Sequence, residues 1–133
     1  MIKFTVICKS KHWPARVKKI TSIIKKILKF KKDLNLSQTI TYNCNIILAD
    51  NNLIKKINYK FRKKNKPTDV LTFVSEISKK NTQKFKICDI FISADIIKKD
   101  AKRNNATFYD HFTHILIHSF LHINGFNHIK NKD

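Results

Sequence analysis

The chain of 133 residues is poor in several residue types: one glycine, two prolines, three cysteines, one tryptophan and one methionine. It has a single glutamate and three arginines, so acidic charge rests almost wholly on aspartate and basic charge on lysine. Cys8, Cys44 and Cys88 are odd in number, scattered and without a C-x-x-C pair. That excludes a disulfide framework and a cysteine zinc knuckle, and it fits a reducing compartment in which each thiol is a small buried hydrophobe. No apolar run approaches the length of about 18 residues that a membrane helix needs. No targeting segment stands out, because lysines interrupt the short apolar run of "MIKFTVICKSKHW". A cytoplasmic protein without membrane association is expected. Repeats, low-complexity tracts and linkers are also missing, so residues 1–133 read as one domain, long enough to bury a core.

What is present is an apolar fraction of 42%, ten phenylalanines and a formal charge of +19. Abundant Lys, Asn and Ile with scarce Gly, Pro and Arg carry the mark of A/T-rich codons, which accounts for much of the lysine. Whatever its origin, a field this positive attracts polyanions and favours nucleic acid over basic or neutral substrates.

Residues 2–8 read as a strand. Residues 15–32 read as an amphipathic helix, with Val17, Ile20, Ile24, Ile27 and Leu28 at helical spacing and its lysines a solvated face. Residues 39–48 alternate, with Ile40, Tyr42, Cys44, Ile46 and Leu48 on one side, which predicts a half-buried strand. Asp50 is placed to cap a helix beginning near Asn51, with Leu53, Ile54, Ile57 and Phe61 inward. Residues 70–74 and 85–93 are two further strands, the second too apolar for an exposed edge. Ser93 or Asp95 caps a short helix to about Arg103, and Thr107 with Asp110 opens a last one from Phe108 to about Ile123. Asn124 and Gly125 supply its stop. The order predicts an α+β fold: a small mixed sheet of about four strands with helices packed against it.

The segment "HILIHSFLHINGFNH" (114–128) holds His114, His118, His122 and His128. The first three recur every fourth residue, so they form one stripe on a helix. His118 and His122, at i and i+4, can aim their ring nitrogens at one metal ion, and a turn at Gly125 lets His128 supply a third. Three protein ligands leave the fourth zinc position open for water, the arrangement of a catalytic site. His114 is expected to pack or to support the ligands from outside, and His111 and His12 are given no role. Histidine binds metal as the neutral ring, so the site should empty on mild acidification.

The spacing of "HSFLHINGFNH" also fits the metzincin pattern H-E-x-x-H-x-x-G-x-x-H, but Ser119 stands where that chemistry needs a glutamate base. With Met1 the only methionine, there is no Met-turn either. A protease is therefore set aside. The stretch resembles instead the YbeY family of metal-dependent endoribonucleases, bacterial rRNA maturation factors, whose signature runs close to H-G-x-L-H-L-x-G-y-D-H. A second block, "INYKFRKKNKPTDVLTF" (57–73), is similar to the family's L-N-x-x-F-R-x-x-d-x-x-T-D-V-L-S-F. A third, "CDIFIS" (88–93), is similar to its G-D-I-x-I-S strand. Departures fall at Ser119, Asn127, Cys88 and Val74, where the family has Gly, Asp, Gly and Pro.

The resemblance implies one zinc per chain held by His118, His122 and His128, with Arg62 as the catalytic phosphate-binding arginine. A guanidinium suits that role, being always charged and able to fork onto phosphate oxygens. Thr68 and Asp69 are expected to fix the turn into the following strand. The implied activity is hydrolysis of single-stranded ribosomal RNA, with ribosomal RNA and the small ribosomal subunit as partners and no DNA. The sheet offers no obvious row of exposed aromatics, so recognition through backbone and shape is expected. A non-catalytic assembly factor that binds rRNA by charge, with zinc bracing the last helix, is the competing expectation.

Overall fold

The computed structural model describes residues 2–30, 32–34, 36–78 and 84–123. Four strands and four α-helices follow one another as β1 (Ile2–Cys8), α1 (Val17–Leu28), β2 (Ile40–Ala49), α2 (Asn51–Arg62), β3 (Val70–Ser78), β4 (Lys84–Ser93), α3 (Ala94–Arg103) and α4 (Phe108–Ile123). A short 3-10 turn, Pro14–Arg16, leads into α1. The sheet order is β1-β2-β4-β3. β1, β2 and β4 are parallel, and β3 returns antiparallel on β4. The mixed four-stranded α+β fold expected from the pattern is the fold observed.

The side chains alternate across the pleat, which divides the sheet into two faces. One face carries Tyr42, Cys44, Ile46 and Leu48 of β2 with Cys88, Ile90 and Ile92 of β4. These join Ile20, Ile24 and Ile27 of α1 and Phe112, Leu116, Phe120 and Ile123 of α4 in a single core cluster. The opposite face is covered at one end by α2, where Ile47, Ile54 and Leu71 are buried. β2 is thus buried on both faces towards its C-terminal end, not half-buried as the alternation implied, because it lies inside the sheet and under α2 as well.

The helix starts follow local chemistry. Asp50 accepts a hydrogen bond from the Leu53 N–H at 2.9 Å. Ser93 accepts from Ile96 N–H at 3.3 Å, so it caps α3. Asp95 instead accepts from Asn51 N–H at 3.0 Å, tying α3 to the start of α2. Thr107 caps α4 through Asp110 N–H at 3.0 Å. Each cap satisfies a backbone donor that the helix itself leaves open.

Trp13 fixes α4 to the sheet. It is fully buried, donates from Nε1 to Ala49 O at 2.8 Å, and meets Phe108 and Phe112 edge-on at 5.5 and 6.1 Å. The Arg16 guanidinium lies over the Phe108 ring at 4.0 Å, closing the other side. The first half of α4 is therefore clamped between an aromatic stack and the core.

Candidate metal centre and phosphate-binding end

α4 buries Phe112, Ile115, Leu116, Ser119, Phe120 and Ile123. The histidine stripe runs beside that buried face. Its rings form a ladder: His111 to His114 at 6.4 Å, His114 to His118 at 6.5 Å, and His118 to His122 at 4.2 Å. The first two pairs are nearly parallel, whereas the His118 and His122 planes tilt by 51°. The ladder thus closes up at the two positions read as ligands. His118 is exposed and His122 half-buried. His128, the third expected ligand, and the Asn124–Gly125 turn lie outside the described residues. Among the described residues no three histidine, cysteine or carboxylate side chains come together. The metal site expected on the last helix is therefore not shown among the described residues; two of its candidate ligands, His118 and His122, lie one turn apart on one face.

Borderline-soft nitrogen donors of this kind suit zinc, and the pair fits it on chemistry as well as spacing. His111, which was given no role, has its Nε2 buried without a hydrogen-bond partner among the described residues. His12 is exposed and faces Asp95 at 3.6 Å. Ser119, where the family signature has glycine, is buried and donates its hydroxyl to Ile115 O at 3.0 Å. That bond turns the hydroxyl back onto its own helix, so it has no part in proton transfer at the stripe.

Arg62 stands on a separate element, as the last residue of α2, and it is exposed. The helix ends there because Lys63 takes the left-handed conformation, φ 59°, and its N–H closes on Tyr59 O at 3.0 Å. The next amide, Lys64 N–H, reaches back to Asn58 O at 3.4 Å. Asn58 itself is buried, and its Nδ2 donates to Lys66 O at 2.8 Å. The asparagine of the second motif block is therefore a clamp that folds the loop after α2 against the helix. No local sequence signal marks Asn58 for this role, since its partner is met only once the loop has folded back.

Thr68 and Asp69 sit where that loop enters β3. The Thr68 hydroxyl donates to Asp69 Oδ1 at 3.3 Å, and Asp69 O accepts from Ser93 N–H at 2.9 Å. They hold the loop to the end of β4, as expected for turn-fixing residues. Phe61 departs from expectation. The stripe places it inward, but it is 58% exposed. Its ring touches Phe73 at 5.2 Å, and Phe73 meets Phe91 at 6.0 Å. A row of aromatics therefore does run from sheet to surface.

Two of the three cysteines meet. Cys44 and Cys88 are register partners on β2 and β4, and both are buried. A hydrogen bond to Cys88, with burial behind it, pushes the Cys44 thiol well above the ordinary range, so it stays protonated. This pair belongs to the core and not to the site, which agrees with reading the cysteines as buried hydrophobes. Cys8 is exposed. No helix among the described residues is long and apolar enough to cross a membrane.

The chain is similar to known proteins. The model of the family Endoribonuclease YbeY matches residues 5–133. The endoribonuclease YbeY of Pelagibacter ubique (strain HTCC1062) is 40% identical over 136 residues, spanning 100% of this chain and 87% of its own. That of Ehrlichia canis (strain Jake) is 36% identical over 124 residues, spanning 92% and 78%. The solution structure of TM1509 from Thermotoga maritima superposes with a TM-score of 0.60 at 25% identity, covering 95% of this chain and 73% of that one. The family model and these relatives match nearly the whole chain, which therefore belongs to the endoribonuclease YbeY family, a family of RNA-cutting hydrolases.

Proposed function

We propose that this chain is a zinc-dependent endoribonuclease that hydrolyses single-stranded ribosomal RNA in the cytoplasm, acting on or near the small ribosomal subunit. The observation that carries the reading is the closing of His118 and His122 to 4.2 Å on one face of a clamped helix, within a family of endoribonucleases. His118, His122 and His128 would hold one zinc ion. When bound, the metal would supply the Lewis acidity that lets water act as nucleophile near neutral pH.

The chain's own residues do the rest. The reaction joins a water oxygen to phosphorus and breaks one P–O bond, and negative charge builds on the phosphoryl oxygens on the way. Arg62, permanently charged, binds those oxygens and offsets that charge where it develops. The lysines that dominate the surface hold flanking phosphates and speed encounter with the polymer. Ser119, bonded to its helix carbonyl, leaves the protease chemistry without a base.

Zinc content and cleavage of a single-stranded RNA, followed through chelation and zinc return, test this. About one zinc per chain is expected, with cleavage lost on chelation and restored with the metal. Protons compete with zinc for neutral imidazole, so zinc occupancy should fall as pH falls below neutrality. Zinc at full occupancy without any RNA cleavage would instead favour the assembly factor.

A further inference from the structure

The last turn of α2 carries two large aromatic side chains in solvent, and core packing explains neither exposure. Tyr59 is 55% exposed and Phe61 58%. Each has a lysine against it: Lys63 Nζ lies 5.9 Å from the Tyr59 ring centre, and Lys60 Nζ lies 5.3 Å from that of Phe61. A helix advances roughly 100° per residue, so Arg62 falls about 100° from Phe61 on one side and about 60° from Tyr59 on the other. The arginine therefore stands between two exposed rings.

The two rings are supported differently. Phe61 is the outer end of the row through Phe73 and Phe91, so the sheet braces it from behind. Tyr59 forms one wall of an open pocket of about 450 Å³, lined also by Asn52, Lys55, Lys56 and Asn65. A polyanion answers the lysines, but charge alone gives no use for exposed rings. An unpaired base does, since each base has a π-face and aromatic stacking tolerates any sequence. Bases within a duplex already stack on one another and cannot reach such sites.

We propose that Tyr59 and Phe61 are base-stacking sites flanking Arg62, which hold unpaired bases of single-stranded RNA on either side of the phosphate bound by the arginine. The proposal rests on the endoribonuclease reading above and deepens it: selection of single strands lies in these two rings. It also replaces the expectation of recognition by backbone and shape alone. That expectation looked for aromatics on the sheet, and these stand at the end of a helix.

The test is equilibrium binding of the full, zinc-loaded chain to two short probes with one slow-to-cleave phosphorothioate backbone. One probe carries uracil bases and the other is abasic, so their charges match. Wild type is expected to bind the uracil probe about tenfold more tightly. Tyr59→Leu and Phe61→Leu should each shrink that gap several-fold, and the double variant should erase it. Tyr59→Phe, which keeps the ring, should preserve it and so guards against a mere folding defect. Equal affinity of wild type for the two probes, or a gap that survives the double variant, overturns the proposal. Cleavage of an ordinary single-stranded RNA is scored separately. A protein that prefers the uracil probe yet cuts nothing refutes the catalytic reading while keeping the stacking sites. One that cuts RNA with no preference between the probes does the reverse.

Discussion

α4 and the end of α2 differ in how firmly the fold holds them. α4 buries six side chains along its length and is clamped at its start by Trp13. α2 buries only Ile54 and Asn58, and every residue from Tyr59 to Lys66 is open to solvent. Metal ligation needs side chains fixed to within a fraction of an ångström, and a helix packed along one whole face provides that. Contact with a flexible polymer needs reach, charge and exposed rings, and the exposed helix end provides those. The comparison assigns the candidate metal ligands to the rigid element and the candidate phosphate and base contacts to the open one.

Substitution at Arg62 should break the comparison most visibly. Arg62→Ala is expected to lower RNA cleavage by about a hundredfold or more, the scale of losing one charge-stabilising donor. Its RNA affinity should fall only a few-fold, and its zinc content should not change. Single-turnover cleavage beside equilibrium binding checks this.

A smaller effect is expected from loosening the rigid side. Trp13→Phe removes the Nε1 hydrogen bond and leaves the buried Ala49 carbonyl without its donor. It should cost about 1–3 kcal/mol of stability in urea unfolding. Because the clamp sits at the start of α4 and the ligands near its end, zinc binding should survive below the transition.

The smallest expected signal concerns the cysteines, which the comparison assigns to neither region. In the native protein a thiol-titrating disulfide reagent should react with Cys8 and spare Cys44 and Cys88, which are buried as a pair. In urea all three thiols should react. Rapid native reaction at Cys44 would show that the sheet opens far more easily than its packing implies.

Much of this was legible in the sequence because periodicity reports burial directly. The period of two in β2, the stripe of α1 and the caps at Asp50, Ser93 and Thr107 are local signals, and local chemistry decided them. The polar residues Ser75 and Glu76 hid the second half of β3. They lie in a strand because β4 offers its backbone partners, Ile87 and Lys86, and not through their own propensity. Phe61 continues the apolar stripe of Ile54 and Ile57 and rests against Phe73, yet more than half of it is exposed, because stripe position does not reveal how fully a side chain is covered. The meeting of Cys44 with Cys88 depends on the register of two strands and leaves no trace in either segment. At the candidate site, the pairing of His118 with His122 was readable from helical spacing alone. Asn58 was not, because a clamp onto Lys66 O exists only once the loop has folded back.

The most direct test of the division between the two regions is zinc content and RNA affinity measured together on His118→Ala and Arg62→Ala. The expected result is crossed: His118→Ala loses zinc and keeps most of its affinity for single-stranded RNA, while Arg62→Ala keeps its zinc and binds RNA more weakly. A His118→Ala protein that still holds one zinc per chain, or an Arg62→Ala protein that loses it, would contradict the account.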